Sequence, residues 1–263
     1  MAKEYKERLR RRPTRPDLIR INLAKELIFQ LEIELASSRN SDPWTMNELE
    51  AALKDLKRNK SRDPEGYVNE IFKKEVIGDN LKMSMLTMFN KLKKTKTIPK
   101  FMNMANITTV PKKGSRLKLE NERGIFRVSV IRNILMRLIY NSKYNLIDQN
   151  ISDCQMGARK GKGCKNNIFV INGLIHDVLS NKSLKPIQLQ IYDYAQMFDS
   201  IDLKKAISDI YDAGLKDDNL RIIYEANSKV DMAVNTPGGL SERNEIKDSV
   251  LQGDTWGSIL ASV

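Results

Sequence analysis

The sequence predicts an α+β fold, and three patterns carry that prediction. Apolar residues recur at helical spacing through the first hundred positions. β-Branched residues take over after Pro99, between basic residues and a Lys-Gly turn. Helical spacing then returns, interrupted once by a stretch at 186–192 that alternates as a strand and runs into Asp193.

Taken in order, residues 1–20 read as a basic arm, with Arg10, Arg11 and Arg12 in a row and prolines that block helix. Residues 21–38 place Leu23, Leu27, Leu31 and Leu35 four apart, which predicts an amphipathic helix. Thr45 with Glu48 forms a capping box for a helix over about 46–58. Asp63-Pro64-Glu65-Gly66 then breaks it. Two helices are predicted at about 67–77 and 80–95, the second presenting Leu81, Met85, Met88, Phe89 and Leu92 to a core. Strands at 106–110 and 123–130, joined through Lys112-Lys113-Gly114, predict a hairpin studded with Lys and Arg. A helix follows at 131–148, a Gly/Lys/Arg loop at 155–163 and a helix at 166–181. After the strand come helices at 202–213, with Asp202 as N-cap, and 218–228, then a strand pair around Gly238-Gly239. Residues 254–263 read as the opening of a helix. These shifts divide the chain into an arm and helix (1–43), a middle region (44–185) and a C-terminal region (186–263).

Composition excludes several classes. At 263 residues and 41% hydrophobic content the chain can bury a sizeable core, which argues against disorder. Cys154, Cys164 and the lone His176 are too few for a four-ligand zinc site and count against a Cys–His or Ser–His couple. No apolar run approaches the ~20 residues that span a bilayer, and the charged N-terminus is no secretory signal. An intracellular protein, nuclear or cytoplasmic and without a membrane partner, is expected.

Charge is distributed unevenly. The net charge is +12, yet residues 91–143 alone carry 14 Lys/Arg against 2 Asp/Glu. Residues 186–263 carry 7 against 13. Such a gradient suits a polyanion held on one region while carboxylates act in another.

Two segments carry the sharpest chemical signal. Ile191-Tyr192-Asp193-Tyr194-Ala195-Gln196-Met197-Phe198-Asp199 places a carboxylate at a strand end and an aromatic five residues on. Hard divalent cations prefer such oxygens. Val250-Leu251-Gln252-Gly253-Asp254 puts a glycine, which lets a ligand approach the backbone, before a helix start. Taken alone, each also reads as an ordinary turn.

In this order the two segments resemble the first two palm motifs, DYSKAFDSVD and VLQGD, of reverse transcriptases of the non-LTR retrotransposon and group II intron type. Upstream, Lys60 through Tyr67 resembles KSPGPDGI, and Ile98-Pro99 with 107–113 resembles the next block. Asn121-Glu122-Arg123-Gly124-Ile125 resembles NYRPI, and 155–163 resembles QfGFRxGrG. Six ordered blocks span about residues 46–263. Departures are Arg62 and Asp63, Gly124, Ala158, and Gly257-Ser258 in place of Ser-Pro.

The resemblance implies a right-hand polymerase: helical fingers with a β-hairpin, and a partial palm with an antiparallel sheet. It implies two Mg²⁺ ions, bound through Asp193 and the Tyr194 carbonyl, which clamp the attacking hydroxyl and the leaving pyrophosphate. Asp193 would be the catalytic carboxylate. Lys112 and Arg123 would hold the triphosphate of a deoxynucleotide, Phe198 would sit beneath its sugar, and Gln252 and Gly253 would line its pocket. Lys113, Arg159, Lys160, Lys162 and Arg10 to Arg12 would contact template RNA and primer DNA. The family's third palm motif, an aromatic-x-Asp-Asp hairpin, does not occur in these 263 residues. The expectation is therefore a chain that binds nucleic acid without polymerising. A noncatalytic RNA-binding remnant, or another palm polymerase such as an RNA-dependent RNA polymerase, remains open on sequence; Phe198 counts against the latter.

Overall fold

A computed structural model describes residues 26, 41–112, 121–181, 187–193, 197–248 and 250–262. The arm with Arg10, Arg11 and Arg12, all of the 21–38 helix but Glu26, the hairpin tip with Lys113, and Tyr194 lie outside the described residues.

Helix α1 (Met46–Lys54) starts at the expected capping box. The Thr45 hydroxyl accepts from the Glu48 N–H at 3.3 Å, and Glu48 accepts from the Thr45 N–H at 2.7 Å. The helix buries Leu49, Ala52 and Leu53. The helix expected at 67–77 is instead a single 3₁₀ turn, Asn69–Phe72. Its polar side chains are committed elsewhere. Glu70 accepts from the Asn59 N–H at 2.6 Å, and Asn69 donates to the Lys57 carbonyl at 2.8 Å. Helix α2 (Asp79–Thr95) buries Met85, Phe89 and Leu92; Met88 is half-buried, and Leu81, expected inside, is exposed.

Strands β1 (Met104–Pro111) and β2 (Glu122–Val128) form the expected antiparallel hairpin, Ile107 opposite Phe126. Helix α3 (Val130–Asp148) follows, then α4 (Cys164–Ser180), of which no residue is buried. The short α5 (Met197–Ser200) leads to α6 (Leu203–Asp212), capped by Asp202, which accepts from the Lys204 and Lys205 N–H groups. Helix α7 (Asp218–Ser228) leads into β3 (Lys229–Thr236), β4 (Gly239–Leu240) and β5 (Asn244–Lys247). Helix α8 (Gly257–Leu260) closes the described chain.

The fold is α+β as expected, but the sheet is mixed where a hairpin plus an antiparallel palm sheet was expected. The described residues form a mixed sheet in the order β2-β1-β3-β4, with β5 also on β3. β1 and β3 run parallel, Met104 opposite Asp231. Their inner faces share a core of Ala105, Ile107, Phe126, Val128, Val230, Met232, Val234 and Leu251. A larger core gathers residues from α1, α2, α3, α6, α7 and α8.

A second correction concerns the strand expected at 186–192. Residues 187–193 join no ladder, and Ile187, Leu189, Ile191 and Tyr192 are exposed. β1 is paired on both edges, as is β3, so neither offers a place. An apolar alternation becomes a strand only when it pairs with another, and this segment pairs with none of the described strands. Among the described residues no helix is long and apolar enough to cross a membrane.

Candidate nucleic-acid and nucleotide interface

Strand β2 alternates buried and exposed positions, which places Arg123 and Ile125 outward while Gly124 and Phe126 face the core. Val110, opposite Arg123, is also exposed. Lys112 is exposed at the hairpin's outer end, where its N–H donates to the Asn121 carbonyl at 2.7 Å. An arginine fork, a lysine and flanking apolar side chains on one sheet face suit a phosphate with an adjoining base or sugar.

The turn of residues 252–254 docks on the edge of that strand. The Phe126 N–H donates to the Gln252 carbonyl at 3.3 Å. Gly253 adopts φ +106°, and a Cβ there would also lie 3.3 Å from the Phe126 carbonyl oxygen, so backbone conformation and space both favour glycine. Leu251 is buried in the sheet core and Trp256 in the larger core, where its indole N–H donates to the Met136 carbonyl at 3.0 Å. Asp254 is buried and paired with Arg132 at 2.7 Å. Phe198, half-buried against the larger core, reaches Gly257; a Cβ on that glycine would lie 3.8 Å from the ring. The segments containing Phe198 and Gln252 therefore meet at the start of α8, and Gln252 and Gly253 meet the strand of Arg123.

Asp193 is not part of this assembly. It is exposed in the segment that joins no sheet. Among the described residues no group of three His, Cys, Asp or Glu side chains is placed to hold a metal ion. Among the described residues, then, Asp193 stands apart from any second or third carboxylate that could share a metal ion with it.

The loop after α3 divides the residues assigned to it. Arg159 is buried, and its guanidinium donates to Asp148 through Nε at 2.8 Å and Nη2 at 3.2 Å, and to the Ser152 carbonyl at 2.9 Å. Its donors face inward and close the loop. The Arg159 hydrogen bonds hold the Asp148 carboxyl below its ordinary value of 3.8, with help from the Tyr144 hydroxyl, which donates to it at 2.8 Å. Lys160 and Lys162 differ. Lys160 is exposed, its N–H donates to the Tyr144 hydroxyl and its ammonium lies 4.5 Å from that ring's centroid. Lys162 is half-buried and pairs with the exposed Asp153 at 3.2 Å.

Two anchors escaped the sequence reading. Asp63, read as part of a helix breaker, is buried; Oδ1 accepts from the Glu65 and Tyr67 N–H groups and Oδ2 from the Val130 N–H at 2.9 Å, capping α3 from 67 residues away. Burial pushes the neighbouring Glu65 carboxyl up, partly offset by the Ser129 hydroxyl that donates to it. Arg132 had a signal: it falls on the apolar stripe with Leu135, Met136 and Ile139.

No protein-family model matches the chain. The chain is similar to the transposon TX1 uncharacterized 149 kDa protein of Xenopus laevis, at 24% identity over 189 residues. The match covers 71% of this chain and 14% of that protein, so the chain spans about one seventh of the relative's length.

Proposed function

We propose that this chain is the fingers and partial palm of a retroelement reverse transcriptase, which binds template RNA and a deoxynucleotide. The observation that carries the reading is the Phe126–Gln252 hydrogen bond. It joins the NYRPI-like strand with Arg123 to the VLQGD-like turn, although Phe126 and Gln252 lie 126 residues apart in the chain. Similarity to a transposon-encoded protein supports the same origin. In this reading Arg123 and Lys112 hold the triphosphate, the 252–253 turn lines the base side, and Lys160 and Lys162 meet template phosphates. Bound Mg²⁺ would supply charge neutralisation at the phosphates; the one carboxylate assigned to it is Asp193, so binding rather than chemistry is assigned to these residues. A second reading, a noncatalytic RNA-binding remnant, is favoured by the position of Asp193 outside the sheet.

The test is RNA affinity as a function of salt. For single strands log K falls with log salt at a slope of about −0.7 per phosphate neutralised. Replacing Lys112, Lys113 and Arg123 by alanine should flatten that slope by about 2. An unchanged slope removes these residues from the interface. Primer extension with Mg²⁺ and deoxynucleotides then separates the readings, with Asp193→Ala as control. No extension by the 263-residue chain is expected. Extension that Asp193→Ala abolishes would show a complete carboxylate set.

A further inference from the structure

Arg132 and Asp254 are both without exposed side-chain surface, and Arg132 Nη2 donates to Asp254 Oδ2 at 2.7 Å. The same Nη2 donates to Asn227 Oδ1 at 3.2 Å. The Asn227 amide is oriented in turn, because its Nδ2 donates to the Ile223 carbonyl at 2.8 Å. Three elements therefore converge on one guanidinium: α3, α7 and the turn before α8. One helical turn further along α3, the Met136 carbonyl accepts from Trp256. The turn is thus tied to one face of α3 at two points.

The apolar anchors on either side, Leu251 and Trp256, are both fully buried. Burial of these side chains is non-directional, and the Trp256 indole bond to Met136 fixes the chain only two residues beyond Asp254. A charge-assisted bond of 2.7 Å fixes direction as well as distance. Burying two charges is costly, and well-packed apolar side chains often serve stability as well or better. The pair is best accounted for by geometry.

We propose that Arg132 is a positioning residue: through Asp254 it sets the rotation of the 252–254 turn, and so aims the Gln252 carbonyl at the Phe126 N–H beside Arg123. Its consequence for nucleotide binding rests on the polymerase reading; the latch itself does not.

Two variants of the 263-residue chain separate a latch from a structural support. Arg132→Met with Asp254→Met replaces the pair by apolar side chains, and Asp254→Asn keeps shape and removes the charge. Hydrogen–deuterium exchange is followed in peptides covering Phe126 and 250–256, with β3 and α2 as references. Exchange in the first two peptides should quicken about tenfold relative to the references. In the double variant the thermal midpoint stays near wild type, whereas Asp254→Asn leaves the buried guanidinium without its counter-charge and lowers the midpoint, so its peptides are compared with its own references. If the double variant does not fold, Asp254→Asn carries the same readout. Unchanged exchange at Phe126 and 250–256 overturns the latch, as does quickening spread evenly over the chain. Titration with a fluorescent deoxynucleotide adds the second arm, in which affinity should fall about tenfold in the variants. A wild-type chain that binds no nucleotide removes the polymerase reading and leaves the latch to the exchange result.

Discussion

Removing the Asp63 carboxylate should unfasten the start of α3. In the folded chain this one side chain accepts from three backbone N–H groups, those of Glu65, Tyr67 and Val130, at 3.0, 2.8 and 2.9 Å. Val130 is buried, so its N–H has no recourse to water once the carboxylate is gone. Loss of a capping side chain costs about 0.5–2 kcal/mol, and a stranded buried donor adds about 1–3 kcal/mol. Asp63→Ala should therefore destabilise the chain by about 3–4 kcal/mol. Asp63→Asn retains Oδ1 for Glu65 and Tyr67 but turns an amide donor toward the Val130 N–H. It should cost about half as much, on the order of 2 kcal/mol. Urea unfolding followed by fluorescence gives both values, with wild type as reference. A loss below about 1 kcal/mol for Asp63→Ala would refute the assignment of Asp63 as the cap of α3.

Three further outcomes can be checked. The Asp148 carboxyl is held low by Arg159, so its contribution is full at neutral pH and is lost as pH falls through its folded value, below the ordinary 3.8. The stability gap between wild type and Asp148→Asn should therefore shrink from pH 7 to pH 3, and a gap independent of pH in urea titrations would contradict the pairing. Phe169→Glu with Leu179→Lys on the exposed α4 should reduce dye binding to apolar surface while moving stability by no more than about 0.5 kcal/mol; a larger loss in thermal unfolding would mean that α4 is packed. Phe198→Ala should cost roughly 1–3 kcal/mol, because the ring is half-buried against the core beside Gly257; no change in the unfolding midpoint would place the ring in solvent.

The parts of the fold visible in sequence were those that rest on local chemistry. Thr45 with Glu48, Asp202 as N-cap and the β1–β2 hairpin each depend on neighbours within about twenty residues, and each formed. The parts that were not visible depend on distant partners. Nothing in 104–111 announces a parallel strand at 229–236, because parallel pairing has no turn signature. The alternation at 187–192 is a genuine strand pattern, yet a strand also needs a hydrogen-bonded neighbour, which alternation does not specify. The same division holds at the site. Gly253 was legible because its φ permits few other residues. Arg159 was misleading, since a Gly/Lys/Arg loop looks like a phosphate cradle until Asp148 is seen to fill the guanidinium.

The parallel pairing of β1 with β3 also constrains synthesis. Asp231, the partner of Met104, follows it by 127 residues. At about 5–20 residues per second, the completed β1–β2 hairpin leaves the ribosome roughly 5–20 s before β3. Through that interval Ile107, Phe126 and Val128 have none of the cover that Val230, Met232, Val234 and Leu251 later provide. A two-stranded hairpin with one apolar face is marginal in water and open to pairing with other chains. Slowing translation between residues 128 and 229 would lengthen this interval, so the yield of folded chain should depend on codon speed and on chaperones that shield nascent apolar surface.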